Sequence, residues 1–125
     1  MSTDRNPLES ENIIEMARGG SDLLTANFGP RLNTSETLSS VTSVSQYSEP
    51  SSPASGETTT LTIGSGSINS GGAVVVDGQT RAVSTVVQVR VTIPANATPG
   101  VYAVKVVAAT SASNSKVLLV RIRVW

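Results

Sequence analysis

A chain of 125 residues is long enough for one modest core and too short for two ordinary ones. Histidine and cysteine are absent and aromatics make up 3% of the chain, which excludes histidine triads, thiolate nucleophiles, the usual zinc ligand sets and any disulfide framework, and leaves the core to aliphatic side chains. Nine basic side chains balance nine acidic ones, which argues against a nucleic-acid binder that must neutralise several phosphates.

Asn6-Pro7-Leu8-Glu9 has the form of a helix start, with Asn as N-cap, Pro at the first helical position and Glu at the third completing a capping box. The pattern predicts a short helix over Pro7 to Arg18, ended at Gly19, with Leu8, Ile13, Ile14 and Met16 as its apolar face. A helix of about a dozen residues is marginal alone in water. That face therefore needs a surface, whether its own domain, a neighbouring subunit or a different protein, and Leu8, Ile13, Ile14 and Met16 are the candidate contacts. Residues 1–20 are expected to form this arm and residues 21–125 a single domain. No apolar signal-peptide core and no long hydrophobic run occurs, so neither a secretory signal nor a membrane span is expected, and the chain reads as soluble and cytoplasmically made.

Ser21 to Phe28 reads as a strand ended by Gly29-Pro30. Glu36 to Ser45 reads as a second, although its apolar Leu38, Val41 and Val44 recur every three residues and fit neither period; Ser, Thr and Val between them disfavour helix, and a bulge reconciles the spacing with a strand. Tyr47 to Thr59 is rich in Ser and Pro and reads as a linker or long loop, near residues 46–59. Leu61-Thr62-Ile63 and Ser67-Ile68 bracket a glycine-rich strand, and Ala73 to Val76 runs into Asp77-Gly78, a tight hairpin signal.

From Val83 onward, Val83, Thr85, Val87, Val89, Val91 and Ile93 alternate with Ser84, Val86, Gln88, Arg90 and Thr92, predicting one buried and one wet face. Pro94 to Gly100 makes a corner, after which Tyr102, Val104, Val106 and Ala108 form the next inward row. A final strand is expected to put Leu118, Val120, Ile122 and Val124 on one face and Lys116, Arg121, Arg123 and Trp125 on the other. Short strands with regular turns predict an all-β, antiparallel sandwich.

Few residues offer chemistry. Gly64-Ser65-Gly66 and Ser70-Gly71-Gly72 have no phosphate-loop lysine and read as turns and bulges. Asp4, Asp22 and Asp77 are too scattered for a calcium loop, so no metal, cofactor or catalytic set is expected. The triplets Asn33-Thr34-Ser35 and Asn96-Ala97-Thr98 carry no weight as glycosylation acceptors without a secretory signal. Thr98 to Tyr102 has the form of the tyrosine corner, making Gly100 and Tyr102 structural residues. Residues 1–62 carry eight acids against three bases and residues 63–125 one acid against six bases, opposite balances that can steer one copy onto another or the arm onto its domain.

The stretches LTIGSGSI, VVQVRVTI, ATPGVYAVKV and KVLLVRIRVW, within Leu61 to Trp125, resemble small immunoglobulin-like proteins of tailed-bacteriophage virions. The chain departs from their pattern in the Ser/Pro-rich insert and in Gly71 to Arg81. The resemblance implies an immunoglobulin-like sandwich and a non-enzymatic virion protein: a capsid decoration or cement protein, or a head or tail fibre, neck or tail accessory component. It further implies the major capsid protein or another virion protein as partner, a homo-oligomer with a trimer favoured, assembly into the virion after synthesis in the host cytoplasm, and no role for nucleic acid or membrane. Arg121, Arg123 and Trp125 are then candidate interface residues. From a different class, a carbohydrate-binding or adhesive module would rest on Trp125 as the exposed aromatic.

Overall fold

The computed structural model describes residues 13–76 and 79–125. Among these, ten strands form: β1 (Ile14–Met16), β2 (Ser21–Asn27), β3 (Leu38–Ser48), β4 (Thr62–Ile63), β5 (Ser67–Ile68), β6 (Val74–Val76), β7 (Gln79–Arg81), β8 (Val86–Thr92), β9 (Gly100–Thr110) and β10 (Ser115–Val124). The fold is all-β. One sheet has the order β1-β10-β9-β3, the second joins β2-β8-β4 with β5 also on β8, and β6 and β7 form a separate hairpin.

Strand alternation builds one core between the two larger sheets, as in a β-sandwich. Leu24 and Ala26 of β2 and Val87, Val89 and Val91 of β8 line one side; Tyr102, Val104, Val106 and Ala108 of β9 and Leu118, Val120, Ile122 and Val124 of β10 line the other. All but one of the strand pairs are antiparallel, the exception being β1 beside β10.

That exception corrects the helix expected over Pro7 to Arg18. Ile14–Met16 is extended, with Ile14 paired to Ile122, Glu15 to Arg123 and Met16 to Val124. Consecutive β-branched isoleucines favour a pleated surface, and the edge of β10 offers backbone partners that a marginal helix lacks. Met16 is buried in the core, so the sandwich takes in residues upstream of Ser21. Leu8 and the capping pattern from Asn6 to Glu9 lie outside the described residues.

The three-residue spacing on β3 has a geometric explanation. Leu38, Val41 and Val44 stand opposite Thr110, Ala108 and Val106, positions two apart on β9, because β3 shifts register between Leu38 and Ser40 and again between Val41 and Ser43. Each bulge absorbs one residue and returns the next apolar side chain to the core. A bulge also divides β4 from β5, since Ile63 faces Val91 while Ser67 faces Gln88. Gly66 occupies it, and a Cβ there would lie 2.9 Å from Val44, 3.1 Å from Val87 and 3.2 Å from Val41. Glycine lets this edge close over the core.

Two further expectations shift. Val83 does not open the buried row: it is 46% exposed, β8 begins at Val86, and Ser84 has φ of 57°. Asn69 causes the break, because its Oδ1 accepts from the backbone N–H of Thr85 (3.0 Å) and Val86 (3.1 Å) and so gathers the chain into a turn. The Ser/Pro-rich segment starts later than Tyr47, since β3 runs to Ser48, and it is tied down by hydrogen bonds rather than apolar burial. Thr58 N–H donates to Asn96 O and Thr98 N–H to Thr58 O, while the Gln46 amide donates to Thr59 O (2.6 Å) and accepts from Leu61 N–H (2.9 Å).

Candidate interaction surface

Two sets of residues that the sequence kept apart meet on one edge. The β1–β10 pairing sets Ile14 and Met16 beside Ile122 and Val124, and two backbone bonds continue the seam: Trp125 N–H to Met16 O at 3.2 Å and Arg18 N–H to Trp125 O at 3.0 Å. Ile13 and Ile14 are half-buried and Met16 is buried. Arg121 is half-buried, Arg123 is exposed and Trp125 is 64% exposed. Arg123 lies between Glu15 on β1 and Val101 on β9, and Val101 is itself 41% exposed. A Trp, an Arg and an apolar neighbour on one rim have the composition of a protein-binding hot spot.

The corner residues hold the opposite chain direction in place. Tyr102 is fully buried and its hydroxyl donates to Thr98 O at 2.7 Å. Burial pushes the phenol pKa up and Glu57 adds to the shift. Gly100 has φ of +144°, and a Cβ there would come within 2.7 Å of Pro50. The Ser/Pro-rich segment therefore rests on the corner at a point where only glycine fits.

The structure also shows polar anchors that sequence reasoning missed. Glu36 is 7% exposed and accepts from Asn33 N–H (2.8 Å), the Thr110 hydroxyl (2.5 Å) and the Asn114 amide (2.8 Å), fastening the turn before β3 to the β9–β10 turn. These bonds, led by the one from Asn33, hold its carboxyl at a pKa of about 2. Asn69 is 7% exposed and its side chain makes four bonds, the amide also donating to Gly72 O (3.2 Å) and Ala82 O (2.7 Å). It anchors the base of the β6–β7 hairpin, on which Val75 stands 69% exposed. Among the described residues no cluster of acids has the form of a metal site, and no helix is long and apolar enough to cross a membrane.

No family model matches the chain, and no curated protein matches it. Among solved structures, the solution structure of Amebosin is similar over 92% of this chain and 90% of that chain, at 12% identity and a TM-score of 0.41, a likeness too weak to carry an argument.

Proposed function

We propose that this chain is a non-enzymatic structural protein of a tailed-phage virion, a decoration protein that binds the outer surface of the head through its N-terminal segment and the adjoining β1–β10 rim. The resemblance of four stretches to small virion sandwiches supports the class. Those stretches form β4 with β5, β8, the corner with β9, and β10. We read the sandwich as immunoglobulin-like, on the sheets β1-β10-β9-β3 and β2-β8-β4 and on the tyrosine corner. The observation that carries attachment is the exposed Arg123 and Trp125 on the rim where β1 pairs with β10.

Deleting residues 1–12, upstream of the sheet, tests this. The truncated chain is expected to keep its thermal transition and to lose attachment to purified heads; undiminished attachment refutes the role given to the segment. The exposure of Trp125 also favours a second reading, an adhesive or carbohydrate-binding module. A glycan screen in which binding is found and then lost in Trp125→Ala supports that alternative.

A further inference from the structure

The outermost strands of the two larger sheets each carry a feature that discourages a further strand from pairing with them. β3 shifts register between Leu38 and Ser40, between Val41 and Ser43, and between Gln46 and Ser48. On β2 the Asp22 carboxylate accepts from the Leu23 backbone N–H at 2.7 Å. β4 and β5 are parted by the bulge at Gly66, and β1 presents the charged, exposed Glu15. In the β6–β7 hairpin, β7 ends on Arg81, but β6 carries no such feature. It runs in regular register, Val74 opposite Arg81, Val75 opposite Thr80 and Val76 opposite Gln79, and no charged residue occurs from Ser67 to Val76.

The sequence of β6 is apolar without alternation. Ala73, Val74, Val75 and Val76 are consecutive, a run that suits a strand covered on both faces rather than a hairpin in water. Val75 is nonetheless 69% exposed. The hairpin stands clear of the sandwich, since residues 70–73 are exposed and a Cβ on Gly71 or Gly72 would meet nothing within 4 Å. Alternation along the ladder turns every second N–H and C=O of β6 away from β7, toward a free edge. Two strands alone are barely stable, whereas three or more with an apolar face hold together. A strand of matching chemistry is present in every other copy of this chain. An uncharged strand in a chain of zero net charge meets no repulsion from its own copy, and antiparallel self-pairing is complementary about a two-fold axis.

We propose that β6 pairs antiparallel with β6 of a second copy, Val75 opposite its own counterpart, joining two hairpins into one four-stranded sheet of order β7-β6-β6-β7. This goes beyond the virion reading and is tested on the purified full chain, so its failure and a failure of attachment to heads are separate results. The sequence has no cysteine, so a single introduced cysteine reports contact between copies without background. Under mild oxidation, Val75→Cys is expected to form an intermolecular disulfide about tenfold faster than Thr80→Cys, because the paired Val75 positions lie about 5 Å apart and the two Thr80 positions three strand spacings, about 14 Å, apart. Both positions are exposed, so access does not separate them. In sedimentation the parent chain is expected to approach twice the monomer mass as its concentration rises, and Val75→Lys to stay monomeric with the parent's thermal transition. Equal oxidation rates for the two cysteines, or a parent and a Val75→Lys chain that sediment alike, overturn the proposal. Faster cross-linking at Thr80→Cys also overturns it and assigns the contact to β7.

Discussion

Glu36 closes one end of the sandwich, and its bonds make a signed prediction about acid. Its carboxyl ionises near 2 in the folded chain against a usual value of 4.5. A lowered folded-state pKa contributes stability that is complete above about pH 4.5 and is lost as the pH falls toward 2. Glu36→Gln should therefore melt lower than the parent at pH 7, with the gap shrinking between pH 5 and pH 2 in thermal scans; a gap independent of pH would assign the effect to shape rather than charge. The sequence reading missed this anchor. Asn33-Thr34-Ser35-Glu36 has the spacing of a capping box, but Thr110 and Asn114 lie 74 and 78 positions away from Glu36, and no local pattern reports such a meeting. The corner behaves differently, because all its residues are close in sequence. Gly100→Ala should cost about 1–3 kcal/mol in urea unfolding, from backbone strain and the clash with Pro50. Pro50→Ala should relieve only the clash, so a double-mutant cycle separates the two causes.

Among the elements, those with a strong local period were the most readable. The inward rows of β9 and β10 follow from simple alternation, whereas β3 kept its period only through bulges that depend on β9 as a partner. β1 was misread because Asn6 to Glu9 carries a helix-start pattern, while the edge of β10 that captures Ile14–Met16 comes from the far end of the chain. The β6–β7 hairpin belongs to neither main sheet, and an isolated two-stranded hairpin is barely stable in water. Asn69 compensates with its four bonds at the base. Asn69→Ala should leave buried N–H and C=O groups unpaired, lower stability by about 2 kcal/mol, and open residues 70–85 first. Hydrogen exchange checks this: faster exchange confined to that stretch is expected, and uniform acceleration across β9 and β10 would contradict it.

For the molecule as a whole, the division of charge has a structural counterpart. The basic half supplies Lys105, Arg121 and Arg123 to the outward rows of β9 and β10, and the acidic half supplies Glu15, which β1 sets opposite Arg123. The fold class and the corner could be read from alternation and turn residues, but the β1–β10 rim could not, since it is made by pairing two segments far apart in the chain. The central claim is that this sandwich coats a virion head. Quantitative mass spectrometry of purified particles from the source tests it most directly. The account predicts the chain at a copy number comparable with the major capsid protein; its absence from the particles, or a copy number matching the tail proteins, would contradict it.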